Sequence, residues 1–414
     1  MKAILKLVVV LFACAVAAHG QVVPAATMGN AGLRYSLQYS QAAEFGRRYG
    51  DWQTARASAN LTYSIPEESH PLQIGYSGGY GWTLTGHGYG NGFFQHFFIS
   101  QGLIWDRWFV QISDNISYLP DAPTTGFSGV PGTGEPIGEP NPTPPTNESV
   151  LTENTHILNN MTNGSATHPL DAATTLKFGG GAGQMLFINS DGLDTDSLMA
   201  NAGLSRRVNA RNSLTGSYQF ATYSFPGTGT RFDSNTIFFG GSRRWSPRLS
   251  TEVSAGPQFV LESSNSTASG SANVPVVPTS INVAVNASAA YQFHFLTANV
   301  SYSRGVNGGA GYLYGGRSDS VNGKLSREFG RNVSVGIDAS YRRLSGLQNN
   351  GVTSSEYCGA QANRHFGRYL NLFANYTVQL QSTSSDLPAN ALNGSLQEIS
   401  GGIGYSPRGF RIRH

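Results

Sequence analysis

The stretch INVAVNASAAYQF, residues 281–293, decides the fold class because it alternates without interruption along its whole length. Ile281, Val283 and Phe293 share one parity with the other large apolar residues, whereas Asn282 and Gln292 belong to the parity that holds all the polar residues. A period of two is that of a β-strand, whose successive side chains point to opposite faces. The same pattern recurs in LRYSLQYS, ARASANLTYSI, LQIGYSGGYGWTL, VSVGIDASYR and LNLFANYTVQL. No segment has a convincing helical period, so the sequence predicts an all-β chain.

The alternating runs are about 10 to 14 residues long, whereas strands of soluble proteins usually have about 5 to 6 residues. Strands of the longer kind can cross a bilayer at a tilt. The apolar parity also ends in aromatic residues, which are typical of the two membrane interfaces. The predicted interface girdle consists of Trp108, Trp245, Tyr291, Phe293, Tyr341 and Tyr405. These features favour a transmembrane antiparallel up-and-down β-barrel over a soluble sandwich or solenoid.

Short polar corners alternate with long, Gly/Ser/Asn-rich connections from Trp105 onward. The corner in SRRWSPRLSTEVSAG (residues 242–256) has relatives in SRRVNARNSLTG, SREFGRNVSVG and NRHFGRYLNLFANY. Short turns on one side and long loops on the other are typical of outer-membrane barrels. The alternation predicts about 18 strands (16–18), and an even number places both chain termini in the periplasm.

The N-terminus predicts export, because Lys2 and Lys6 precede the apolar run LVVVLFACAVAA. We interpret residues 1–20 as a cleaved signal peptide. Residues 21–32 are then a periplasmic segment, and residues 33–406 form the barrel with a long external loop at 120–154. Residues 407–414 are predicted to be a periplasmic tail.

Composition excludes several classes of protein. Charged residues make up only 12% of the chain, which argues against a solvated globular surface. Removal of the signal peptide takes Cys14 away and leaves Cys358 alone, so no intramolecular disulfide can form. The net charge of +3 includes Lys2 and Lys6, so nucleic-acid binding has no electrostatic support. The histidines lack paired ligand spacing, and no metal or cofactor is predicted.

The segment GYSGG, residues 75–79, matches the G-x-S-x-G pattern of a nucleophile. That pattern requires a turn from a strand into a helix, whereas the following YGWTLTGHGYGNG continues as strand and then loop. We therefore expect that the protein is not an enzyme.

One charged residue conflicts with the predicted barrel. Strand parity points Asp114 toward lipid beside Ile112 and Ile116, where an ionised carboxylate is costly. A bulge that shifts the register, or a misread strand, would remove the conflict.

The signal peptide, the hairpin repeat and the aromatic-ended strands together resemble Gram-negative outer-membrane β-barrel proteins over essentially the whole mature chain. The corners RRWSPR, REFGR and RHFGR and the loop TTGFSGVPGTGEPIGEP resemble porin-type barrels, some of which are linked to exopolysaccharide systems. The resemblance implies location in the outer membrane, contact with lipid and lipopolysaccharide, and insertion by the barrel-assembly machinery. The C-terminus PRGFRIRH departs from the usual aromatic ending, although SGGIGY (400–405) partly matches a terminal strand.

Charge is distributed unevenly in the predicted barrel, because no Lys or Arg lies between Trp108 and Leu176. The third external loop of general porins folds into the lumen, and residues 120–154 are its counterpart here. The candidate constriction consists of Glu135, Glu139, Glu148 and Glu153 opposite Arg34, Arg56 and Arg342. Opposed charges across a narrow neck favour small polar solutes. Alternatively, the proline-rich loop is a disordered surface segment.

Lumen positions rich in Ser, Asn, Gln, Thr and Gly predict a passive channel for small hydrophilic solutes. The first alternative is an outer-membrane component for surface or exopolysaccharide export. Such a component would need aromatic residues along the lumen, and inward parity offers few, such as Phe109, Tyr223 and Phe373. A structural or adhesive barrel is the other alternative.

Overall fold

The computed structural model describes most of the chain from residue 32 to residue 411. The described residues are 32–46, 51–65, 69–86, 91–119, 156–188, 192–264, 277–308, 313–330, 332–347, 351–384, 393–407 and 410–411. The strands are β1 Gly32–Phe45, β2 Trp52–Ile65, β3 Leu72–Thr85, β4 Gly92–Trp105, β5 Trp108–Leu119, β6 His156–Pro169, β7 Thr174–Ile188, β8 Thr195–Arg207, β9 Asn212–Phe225, β10 Thr230–Arg244, β11 Leu249–Ser264, β12 Val277–Phe293, β13 Leu296–Asn307, β14 Gly316–Phe329, β15 Val333–Gly346, β16 Val352–Phe366, β17 Leu370–Thr383, β18 Gly394–Tyr405 and β19 Phe410–Arg411. The predicted signal peptide and the loop at 120–154 lie outside the described residues.

The first 18 strands form a closed antiparallel barrel, as the sequence predicted. Each strand pairs with its neighbours in sequence, and β18 closes the ring by pairing with β1 from Leu37↔Tyr405 to Phe45↔Gln397. The residues after β18, predicted to be a tail, contain β19, which pairs with the start of β1 at Leu33↔Phe410. The first strand is therefore covered along one edge by two successive segments of the C-terminus.

Large apolar side chains cover the outside of the barrel. The alternation assigned from sequence is confirmed by the exposure of one parity, for example Ile281 at 75% and Phe239 at 69%. Outward residues on the other walls include Leu37, Leu61, Phe93, Ile112, Leu198, Leu214, Val253, Val300, Ile337 and Leu380. A ring of exposed apolar side chains of this extent requires a bilayer around it. In the described part of the chain, no helix is both long and apolar enough to cross a membrane.

Three of the short corners share one hydrogen-bond pattern. Asp171 accepts the N–H groups of Ala173 and Thr174 at 2.6 and 2.7 Å, and Asn209 accepts those of Arg211 and Asn212 at 2.8 and 2.9 Å. Ser246 does the same for Arg248 and Leu249 through its hydroxyl oxygen. The bond from Ala173, followed by those from Thr174, lowers the pKa of Asp171. A short acceptor side chain thus fixes these turns.

The repeated arginine–aromatic sequence lies at the end of the barrel that carries the short turns. We call this end the short-turn rim. Residues two apart in a strand point to one face, and here a guanidinium lies over the ring that follows it. The pairs are Arg243 over Trp245 at 4.0 Å, Arg327 over Phe329 at 4.6 Å and Arg364 over Phe366 at 4.6 Å. The repeated corner therefore stabilises hairpin ends, and the opposite end of the barrel is called the long-loop rim.

Asp114 points outward from the middle of β5, and neither a bulge nor a misread strand removes the conflict. The pairing of β5 with β4 and β6 runs without a shift, with Asp114 opposite Ile99 and Thr162. The Thr162 hydroxyl donates to Asp114 Oδ1 at 2.7 Å. A single donor replaces only part of the lost hydration, so this carboxyl destabilises the barrel.

We expect Asp114→Leu to stabilise the barrel by about 1–2 kcal/mol, because it removes a carboxyl from the apolar belt. Denaturant unfolding of the refolded barrel in vesicles would measure the change. The matched control is Asp196→Leu, since Asp196 accepts a bond from Gln184 at 3.1 Å close to the long-loop rim. If the two substitutions have equal effects, the energetic cost of an outward carboxyl does not depend on its depth in the membrane.

Candidate functional site: the lumen

Small polar side chains dominate the inward face of the barrel. They are bonded in pairs across neighbouring strands, as in Ser303 with Ser320 at 2.6 Å and Ser213 with Ser242 at 2.7 Å. Amide–hydroxyl pairs of the same kind join Asn60 to Ser36, Gln111 to Ser100, Gln258 to Ser234 and Gln379 to Ser355. Such a wall presents hydrogen-bonding groups to water along much of its height.

Burial of the inward residues increases toward the long-loop rim. Along β10, Phe232, Ser234 and Thr236 are buried, and Arg244 at the other end is exposed. Along β11, Gln258 and Val260 are buried, whereas Glu252 is exposed. The inward side chains are therefore exposed at the short-turn rim and closely packed in the other half of the barrel, which we call the narrow half of the lumen.

An apolar cluster occupies one wall of this narrow half. Its buried residues are Ala221, Tyr223, Phe225, Phe232, Val260 and Val306, and Leu193, Met199, Tyr314 and Leu347 pack against them. The rings of Tyr223 and Phe232 stack at 4.9 Å, and those of Phe225 and Phe232 at 6.3 Å. We call these ten residues the lumen cluster.

Residues 313–315, which directly precede β14, lie against the inner wall, where Tyr314 completes the cluster. Leu313 is 1% exposed, and the Tyr314 ring meets Phe225 edge to face at 5.4 Å. Gly315 has φ +73°, and a Cβ there would lie 2.5 Å from Phe232 Cε1. A larger residue would be strained in conformation and would collide with the ring, so glycine is required where this segment approaches the wall.

Of the predicted constriction residues, the structure describes the three arginines, which lie at separate positions on the barrel wall. Arg34, Arg56 and Arg342 face inward as predicted, but Arg34 lies two residues from the start of β1 and opposite Thr62. Arg56 lies higher, opposite Ser40 and Gly81, and Arg342 lies opposite Ser320 and Ser355 on another wall. Glu135, Glu139, Glu148 and Glu153 lie outside the described residues, so the charged constriction stays a prediction.

The predicted girdle residues face outward at two heights. Trp108, Trp245, Tyr291, Phe293 and Tyr405 lie at the short-turn rim, and Tyr341 lies toward the long-loop rim. Trp108 stacks on His168 with centroids 4.5 Å apart, and the Trp245 indole donates to Thr251 at 2.9 Å. Their role at the membrane interface remains a prediction.

Two groups of inward charged residues are not predicted by the sequence pattern. Lys324 lies directly opposite Asp338, and Asp338 accepts a hydrogen bond from Tyr357 of the next strand. At the closing seam, Glu44 lies opposite Glu398, and both carboxylates are buried and have interaction partners. Strand parity predicts that each of these charged residues faces inward, but only the strand register shows which of them are neighbours.

Neither the G-x-S-x-G pattern nor the possible metal ligands form a site in the described residues. Ser77 lies within β3 opposite Asn60 and His96, and not on a turn into a helix. Within the described ranges, His, Cys, Asp and Glu form no group of three or more that could hold a metal ion.

No protein-family model matches the chain, and no curated relative was found. Solved structures with a similar architecture include OccK2 (OpdF) of Pseudomonas aeruginosa, at TM-score 0.48 and 12% identity, covering 92% of this chain and 98% of that one. OccAB3 of Acinetobacter baumannii has TM-score 0.47 and 9% identity over 92% and 100% of the two chains. OpdQ of Pseudomonas aeruginosa has TM-score 0.46 and 12% identity over 92% and 99%. A closed antiparallel barrel with an apolar outside and a polar inside is the architecture of an outer-membrane protein.

Proposed function

We propose that the protein is a passive outer-membrane channel for small hydrophilic solutes. The observation that carries the proposal is the inward face, where paired hydroxyl and amide groups line a closed barrel of 18 strands. Barrels of this size can enclose an aqueous interior. We infer that the long-loop rim faces the cell exterior and the short-turn rim faces the periplasm, as in other outer-membrane barrels.

The lumen cluster supports a limit on solute size. It fills part of the narrow half, while buried polar residues such as Gln379, Gln381 and Ser355 line the wall formed by β16 and β17. A solute entering this half passes between an apolar wall and a hydrogen-bonding wall. This arrangement favours small molecules with one apolar and one polar side.

The inward charges support weak selectivity between anions and cations. Positive side chains on the described walls include Arg56, Lys324 and Arg342, and negative ones include Glu252, Asp338 and Glu398. Because side chains of both signs line the lumen, neither type of ion meets a uniform field. The carboxylates of residues 120–154 would add negative charge to the lumen if that loop enters it, as predicted for the constriction.

Planar-bilayer recording on the purified protein tests the proposal. We expect discrete conductance steps, and under a salt gradient we expect a reversal potential close to zero. Liposome swelling with sugars of increasing size would then give the size limit. A barrel that is folded by heat-modified gel migration and yields no conductance steps would refute the channel.

Export of a surface polysaccharide is the second candidate. Inward aromatic residues are more numerous than the sequence suggested, because Phe225, Phe232 and Tyr357 join Tyr223 and Phe373. Most of these rings pack on one another, however, and leave little face for stacking on sugars. Unchanged exopolysaccharide output after deletion of the gene would exclude this function, and unchanged surface attachment would exclude an adhesive barrel.

A further inference from the structure

The outer wall carries a group of three arginines near the long-loop rim of β13, β14 and β15. Arg304 and Arg343 flank Asp319 in one row across the three strands. Arg317 precedes Asp319 by two residues on the same face of β14. Side chains at such positions are direct or diagonal neighbours. We call Arg304, Arg317 and Arg343 the arginine patch.

The patch faces away from the lumen at the upper edge of the apolar belt. Directly below it on the same face lie Tyr302 and Tyr341, each opposite Val321. Arg304 lies eight residues beyond Leu296, the first residue after the short turn, which corresponds to a rise of about 20 Å for a tilted strand. An apolar belt is about 25 Å tall, so the Cα atoms lie near its upper edge, and the long arginine side chains extend from there to place their guanidinium groups in the headgroup region of one leaflet.

Asp319 is engaged within the patch, and two of the arginines remain available. The Arg304 Nε lies 3.6 Å from Asp319 Oδ1, and the Tyr302 hydroxyl donates to the same oxygen at 3.1 Å. Arg317 and Arg343 are exposed, and neither forms an ion pair with a residue in the described ranges. Glu356 lies one row lower beside Tyr341, and with both acidic residues counted the region stays positively charged.

Among the described residues, other outward charges near this rim have partners. Arg231 is bonded to Asp233 at 3.1 Å on β10, and Asp196 accepts a bond from Gln184 on the wall of β7 and β8. The excess positive charge at β13–β15 therefore marks one sector of the circumference. An anion held there must lie in the headgroup layer, because the side chains point away from the water-filled interior.

We propose that the arginine patch binds the phosphate groups of the phosphorylated glycolipid in the outer leaflet, that is, lipid A of lipopolysaccharide; this proposal rests on the orientation inferred above, with the long-loop rim at the cell exterior. Guanidinium groups bind phosphate through two parallel hydrogen bonds. Arg304 is oriented by Asp319, while Arg317 and Arg343 supply the free donors. The tyrosine rings and the apolar belt below them contact the sugar and the acyl chains. The patch selects this lipid because its positive charge matches the phosphate groups and because the arginines lie at the height of the headgroups.

Binding of purified lipid A to the detergent-solubilised full-length barrel, measured by native mass spectrometry, tests the proposal. The probes are bisphosphorylated lipid A, dephosphorylated lipid A and inorganic phosphate. We expect Arg317→Gln/Arg343→Gln to weaken binding of bisphosphorylated lipid A by about tenfold or more, because charge-assisted hydrogen bonds are lost. Heat-modified gel migration establishes that each variant is folded.

The matched control is Arg327→Gln/Arg364→Gln, which changes two outward arginines of β14 and β16 at the short-turn rim. This control should bind lipid A as the native barrel does. Equal losses in both double variants, or equal binding of dephosphorylated lipid A, would overturn the proposal. Binding of inorganic phosphate as tight as that of lipid A would also overturn it. Conductance should not change in either variant, so the result is independent of the proposed channel function.

Discussion

A barrel in which both Leu313 and Tyr314 are replaced by serine should conduct ions about two- to threefold better than the native protein. Leu313 is 1% exposed, and Tyr314 is held in the lumen by apolar contacts with Phe225 and the other residues of the lumen cluster. Serine provides little apolar area to keep the segment packed. The segment should then leave the wall, and the cross-section open to ions should increase.

Single-channel recording at fixed salt would measure this change, together with the size limit from liposome swelling. Gly227→Ser is a suitable control, because it lies in the β9–β10 turn at the same rim and an added Cβ would meet nothing within 4 Å. If the double serine variant conducts as the native barrel does, the β13–β14 segment does not limit the flow of ions.

Phe232→Ala should produce the largest loss of stability among single substitutions in the lumen. Its side chain is 1% exposed and is in ring contact with both Tyr223 and Phe225. Removal of a buried aromatic side chain typically costs about 3–5 kcal/mol, because a cavity remains. The ring surface that supports Gly315 and Tyr314 would be lost as well. We therefore expect the conductance of the same variant to rise.

Denaturant unfolding in vesicles would measure the loss, and Phe232→Leu is the matched variant. Leucine keeps most of the apolar volume and should cost less than about 1.5 kcal/mol. If both variants are as stable as the native barrel, the lumen cluster contributes no packing energy, and the rings merely line the wall.

The strand pattern could be predicted from sequence because the bilayer imposes it. Every residue of a spanning strand faces either lipid or lumen, so parity alone assigned Ile281 outward and Arg56 inward. The corners were also predictable, since an acceptor such as Ser246 and an arginine two residues before an aromatic ring are local features. Asp114 was placed correctly by the same parity, and only the expectation that a bulge or a misread strand would remove it was wrong.

The lumen cluster could not be predicted in this way, because its contacts join distant parts of the chain. Phe225 and Tyr314 are in ring contact, yet Tyr314 lies in a connection that has no periodicity. Parity also carries no information about height, and only the register shows that Arg34 and Arg56 lie at different heights on neighbouring strands. The charge groupings of Lys324 with Asp338 and of Glu44 with Glu398 depend on register in the same manner.

The pairing of β1 with β18 and β19 has a consequence for the order in which the barrel is made. All the other ladders join consecutive strands, whereas this one joins residues as far apart in sequence as Leu33 and Phe410. Its loop-closure entropy is therefore the largest of any ladder. Until the C-terminus arrives, β1 presents an unsatisfied edge that can pair with another chain. Ring closure should accordingly be the last and slowest step of assembly, and a chain stopped before Gly394 should aggregate.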